Sequence, residues 1–206
     1  QKDVYVWNHY FDFEYRDALK SPWYSGLAQG LGLSVLARAY QESNEQKYLE
    51  AHKKAWISMT KKIDEGGVID IDKDGNYWIE EYIVNPPTHI LNGFIWALWG
   101  VYDSWKLLEI ELAENLLKKC YRTLEKNIEK YDNGYWSLYD QAGLPLNNMA
   151  SSFYHKLHIV QLEILSNLSG NHTFQKFADK WRSCNLSNFY KYRALINKII
   201  FKILYY

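Results

Sequence analysis

Residues 89–103 read HILNGFIWALWGVYD, and this stretch decides the fold. Apolar side chains recur there at helical spacing, while Asn92 puts a hydrogen-bonding group near the start of an otherwise apolar face. Pro86-Pro87-Thr88 directly before it supplies a helix opening. Two further segments share this character. Trp23–Tyr40 (WYSGLAQGLGLSVLARAY), opened by Ser21-Pro22, carries Gln29 at the matching place, and Ser151–Asn167 carries His158. Gln29 to Asn92 is 63 residues and Asn92 to His158 is 66. A more charged amphipathic partner follows each, over Asn44–Lys62, Leu107–Lys130 and Thr173–Cys184. A period this long, with two helices per unit, predicts stacked helical hairpins. The expected fold is all-α: an incomplete α/α toroid of helical hairpins, with the polar helix starts and their preceding loops gathered at one end.

Two stretches break the helical pattern. Gly67–Tyr82 (GVIDIDKDGNYWIEEY) alternates around Asp74-Gly75 and predicts a small β-hairpin at the rim of the toroid. Tyr131-Asp132-Asn133-Gly134 is a second turn, leading into a short strand over Tyr135–Tyr139. The organisation expected is an N-terminal extension (1–21), the α/α domain (22–184) and a C-terminal helix (185–206). That last segment, NLSNFYKYRALINKIIFKILYY, is aromatic and aliphatic, and its only charges are Lys191, Arg193, Lys198 and Lys202. It reads either as an amphipathic helix for a membrane surface or partner protein, or as a final helix packed on the body.

The totals bound the function. With 206 residues and 48% hydrophobic content the chain can bury one sizeable core. Lys+Arg and Asp+Glu are both 24, so no global field recruits nucleic acid. Two cysteines, Cys120 and Cys184, cannot build a disulfide framework or a cysteine-rich zinc site. No apolar run is long enough to span a membrane. The chain begins at Gln1, consistent with processing of a longer protein, and Asn167, Asn171 and Asn185 begin sequons that matter only in a secretory compartment. The compartment stays open. Eighteen tyrosines and nine tryptophans suit the binding of flat, partly polar ligands such as carbohydrate, although an aromatic-rich helical core explains them equally.

Three constellations carry candidate chemistry. Trp78-Ile79-Glu80-Glu81-Tyr82 ends the hairpin with two carboxylates beside a phenol, which can form an acid/base pair. Trp136-Ser137-Leu138-Tyr139-Asp140 is the second. Tyr154-His155-Lys156-Leu157-His158 is the third; its histidines are three apart on one helix face, but no third ligand has zinc-site spacing. Dinucleotide, nucleotide-triphosphate and serine-hydrolase motifs are absent.

In order, Ala28-Gln29-Gly30, Arg38-Ala39-Tyr40, Glu80-Glu81-Tyr82, Leu91-Asn92-Gly93-Phe94, Val101-Tyr102-Asp103, Tyr139-Asp140, Tyr154-His155 with His158, and Trp181 resemble the C-terminal domain of the D-glucuronyl C5-epimerases, over roughly Pro22 to Arg182. The resemblance implies conversion of D-glucuronate to L-iduronate in a heparosan-type chain by two-base proton transfer at C5, without metal or organic cofactor. It implies Tyr82 and Tyr154 as catalytic tyrosines on opposite faces of the sugar, assisted by Glu81. Tyr139 and Asn92 would contact substrate, and His155, Gln29 and Glu80 complete the expected substrate-binding set. The implied partner is a uronic-acid-containing polysaccharide, and a homodimer is compatible with the family. Arg38, Tyr40, Tyr102 and Asp103 are assigned to packing.

This sequence departs from the family in two places. No arginine follows Tyr139-Asp140, where Gln141-Ala142-Gly143-Leu144-Pro145 stands instead, and only Gln1–Ser21 precedes the domain where the full enzymes carry β-rich domains. His155, His158, Arg16 and Lys20 are alternative cations. Two rivals stay open: a uronate lyase, which shares the C5 proton abstraction and then expels the C4 oxygen, and a non-catalytic carbohydrate-binding or scaffold module.

Overall fold

The computed structural model describes residues 4–205. Among them the chain is mostly helical, with small two-stranded antiparallel pairs as its only sheets. It divides into two compact units: one runs up to His89 and adds Gly93–Thr123, the other is Ile90–Asn92 with Leu124 onward.

In the first unit, β1 (Asn8–His9) pairs with β4 (Trp23–Tyr24), and β2 (Phe13–Glu14) pairs with β3 (Ala18–Leu19) nested between them. β1, β2 and β3 occupy the segment read as an extension, and β4 corrects the first helix start. Pro22 stays outside the helix because Trp23 and Tyr24 are paired to β1. The helix α1 (Gly26–Ser43) instead starts at Ser25, whose hydroxyl accepts from the Ala28 N–H at 3.0 Å. Its partner α2 (Gln46–Trp56) packs beside it and ends earlier than expected, in a 3-10 turn over Ile57–Met59.

The hairpin forms as read: β5 (Ile69–Ile71) pairs with β6 (Tyr77–Ile79) in register Asp70 to Trp78. Asp72 builds its turn, accepting from the Asp74 and Asn76 N–H groups at 2.9 Å each, and Gly75 takes the positive φ of 75°.

Helix α3 (Leu91–Leu108) begins three residues after the expected opening. The Thr88 and His89 amides donate to the Glu80 carboxylate, and His89 has a φ of 48°, so residues 88–89 are held outside the helix. Its C-terminal end is set by Glu109, left-handed at φ 56°, which delays α4 (Glu111–Asn127) beyond the expected Leu107. Helices α1 and α3 touch backbone to backbone: a Cβ on Gly30 would collide with Ala97, and one on Gly100 with Gly30. Arg38 closes the same contact, forking onto Asp103 at 3.0 and 3.1 Å.

In the second unit, α5 (Ser152–Ser169) is capped by Ser151 and packs against α6 (His172–Leu186), capped by the Asn171 side chain; α7 (Asn188–Tyr205) follows. The short strand expected over Tyr135–Tyr139 is two isolated bridges, Asp132 to Ser137 and Leu138 to Met149. Its backbone groups are shared among several partners: Leu138 donates to Tyr131, Tyr139 to Asn148, and the Tyr139 carbonyl accepts from Leu91.

Candidate active site

In the first unit the site grows from the end of β6. Glu80 still donates its N–H to the Val68 carbonyl at 2.9 Å, and its own carbonyl accepts from Gly26 at 2.8 Å. The first turn of α1 is therefore fastened to Glu80. Both carboxylates that follow are buried, Glu80 completely and Glu81 to 8% exposure. The chain leaving β6 carries the pair into the core. The two then diverge. Glu80 is fully engaged, taking the Thr88 and His89 amides on Oε2 and His89 Nδ1 on Oε1 at 2.5 Å. It anchors the loop before α3.

Glu81 accepts a hydrogen bond from Tyr82 and leaves Oε2 with no protein partner. Burial, against the pull of that hydrogen bond and with help from the Glu80 charge, pushes its carboxyl up to about 7. A Cβ on Gly93 would fall on this carboxylate, so only glycine fits there. Gln29, one turn into α1, is wholly buried, and neither its Oε1 nor its Nε2 meets protein. An unpaired buried amide costs about 1–3 kcal/mol.

Tyr82 is half-buried in an aromatic wall that sequence reading missed. Phe13, Tyr15 and Trp23 stand with ring centroids 5.2, 4.8 and 5.8 Å from its own. Two of the three come from the N-terminal segment, where no motif marks them. Trp78 and Trp136 are core residues, 1% and 0% exposed.

Asp70, Glu80 and His89 are the one group among the described residues whose ligand atoms lie within 4.8 Å of one another, as a metal ion would require. Glu80 and His89 already satisfy each other, and Trp78 stacks on the imidazole at 4.3 Å.

In the second unit, Ser151 caps α5 and sets Tyr154 in its first turn, half-buried, with the Tyr139 ring 5.0 Å away edge to face. His155 lies beneath. It stacks on Trp136 at 3.7 Å, accepts the Ser137 N–H on Nδ1 at 3.1 Å and sends Nε2 to the Trp181 carbonyl at 3.2 Å. Those partners spend both ring nitrogens on protein, so His155 positions the start of α5 and is not open to substrate. His158 takes Ser137 Oγ at 2.9 Å and leaves Nε2 unpartnered. Burial pulls His155 down to about 4 and His158 to about 3, so both are neutral at physiological pH and supply no cation. Asn92 and Gln161 are joined through the Asn92 carbonyl at 3.1 Å, and each keeps its side-chain oxygen free of protein partners.

Lys198 of α7 brings a cation beside Tyr139. Its ammonium lies 5.4 Å from the Tyr139 ring centre and donates to Asn148 Oδ1 at 2.6 Å. Burial lowers it to about 8, against the opposing pull of Asp140. Beside it a pocket of about 210 Å³ is lined by Lys130, Asp140, Asn148, Phe201 and the 141–147 loop. Lys20, an alternative cation on sequence grounds, is an exposed partner of Asp12 at 2.7 Å.

Residues 1–183 match the family described as D-glucuronyl C5-epimerase C-terminus. The chain belongs to that family. The match takes in the N-terminal strands as well as the helical domain. A D-glucuronyl C5-epimerase of Caenorhabditis elegans is 33% identical over 174 residues, covering 77% of this chain and 28% of that protein. An uncharacterised protein of Methanocaldococcus jannaschii is 29% identical over 180 residues, covering 86% of this chain and 57% of its own length. The chain thus spans little more than a quarter of the epimerase and somewhat over half of the archaeal relative.

Proposed function

We propose that the protein is a D-glucuronyl C5-epimerase-type isomerase acting on uronate residues of a heparosan-type polysaccharide. The observation that carries the reading is Glu81: buried, hydrogen-bonded to Tyr82 and held at about 7, within the residues that the family match covers.

The chemistry asks for such a group. Breaking the C5–H bond sends a proton to a base and leaves the electron pair delocalised into the adjacent carboxylate as an enediolate. Reprotonation at C5 from the opposite face inverts the centre. A phenol becomes a usable base when a neighbour takes its proton, and a carboxyl near 7 can accept that proton and return it. In this reading Tyr82, relayed by Glu81, serves one face of the sugar and Tyr154 the other. Tyr139, Asn92 and Gln29 hold the sugar, with Lys198 as the cation for the uronate carboxylate. Glu80 and His155 position the catalytic groups.

The test is incubation with unsulfated and N-sulfated heparosan in D2O, followed by NMR. Deuterium at C5 together with iduronate signals is the expected result. Deuterium with a 4,5-unsaturated product would make the protein a lyase, and polymer binding with no exchange would make it a carbohydrate-binding module.

A further inference from the structure

Helix α7 lies beyond the family match, which ends at residue 183. Only Ala194 and Phe201 of its side chains are fully buried. Along its outer face Phe189, Tyr192, Ile196, Ile199 and Ile203 follow one another at intervals of three or four residues, and Phe189 and Ile203 are 69% and 75% exposed. An apolar stripe of this extent on a protein surface marks a contact. Helical spacing sets Lys191 and Lys202 along one edge of the stripe; Arg193, on the other, lies over the Tyr135 ring at 4.4 Å, and Lys198 turns inward to Asn148. No acidic residue follows Asp179 anywhere in the chain.

We propose that α7 docks the protein on an anionic lipid surface, its apolar stripe sunk among the acyl chains and its edge cations at the headgroups. Three observations select this occupant. A second copy would bring the same cations against one another, with no carboxylate on α7 to answer them. The stripe stands on a convex single helix, a shape that suits a fluid plane. No described helix is long and apolar enough to cross a membrane, so α7 lies in the interface.

The test is flotation of the full chain with vesicles of phosphatidylcholine alone or mixed with phosphatidylglycerol. The protein should float with the mixed vesicles, much less with the neutral ones, and lose binding as salt rises. Ile199→Asp with Ile203→Asp should cut the bound fraction about tenfold, and Lys191→Gln with Lys202→Gln should weaken binding to the anionic vesicles alone. These side chains are exposed or edge-placed, and an unchanged circular dichroism spectrum verifies the fold. Absence of flotation with phosphatidylglycerol overturns the proposal. So does equal flotation with both vesicle types, or a wild-type dimer in light scattering that the isoleucine substitutions convert to monomer.

Discussion

Burial holds the Glu81 carboxyl at about 7 while Tyr82 donates to it, so the pair titrates within the working range of a proton relay. The ionised form accepts the phenol proton, so exchange at C5 should rise with pH through about 7. Glu81→Gln should flatten that limb and slow exchange about a hundredfold, measured as initial deuterium incorporation across pH. A limb that persists in the variant belongs to another group. Gly93→Ala pushes a methyl into the same carboxylate and should lower both exchange and stability, the latter by about 1–3 kcal/mol in chemical denaturation. Local sequence showed Glu81, Tyr82 and Asn92 as candidates, because each stands in a compact block of unusual residues. It did not show Lys198 beside Tyr139 or Phe13 and Tyr15 around Tyr82, since those contacts join segments 59 to 69 residues apart and no local pattern encodes them.

The seven described helices and the Asp74-Gly75 hairpin were legible because helical and strand periods are local properties of the chain. Their ends were less so. Ser25 replaced Pro22 as the start of α1, and the Glu80 carboxylate delayed α3, because strand pairing and a buried side chain decided each boundary. Capping is where this scale can be tested. The Ser151 hydroxyl accepts from the Tyr154 amide at 3.3 Å, so Ser151→Ala should cost about 1 kcal/mol in thermal or chemical unfolding. The same substitution loosens the turn that carries Tyr154, so exchange should fall along with stability. In the first unit, Gly30→Leu should be far more damaging than the loss of any cap, because its side chain would enter the Ala97 backbone.

For the whole molecule, pH is the probe. Burial lowers His52 and His155 to about 4 and His158 to about 3. Below 6.5 the unfolded chain binds protons that the folded chain refuses, so stability falls from pH 6.5 towards 4. The slope is about 1.4 kcal/mol per pH unit for each such proton. Glu81, raised to about 7, acts in the opposite sense, favouring the folded state as pH falls from 7 towards 4.5, and Asp70 shifts the same way. Burial lowers His9 as well, and four histidines against two carboxyls leave net acid destabilisation, readable as a falling denaturation midpoint between pH 6.5 and 4. His158→Gln should reduce that fall.

Most direct of all is a comparison of Tyr82→Phe and Tyr154→Phe in D2O, each supplied separately with glucuronate-rich and iduronate-rich polymer. If one tyrosine serves each face, both variants lose inversion at C5. Each still exchanges the C5 proton from one epimer without inverting it, and the two variants differ in which epimer that is. A variant that inverts C5 at the wild-type rate, or loss of both exchanges together in either one, would contradict the two-tyrosine account.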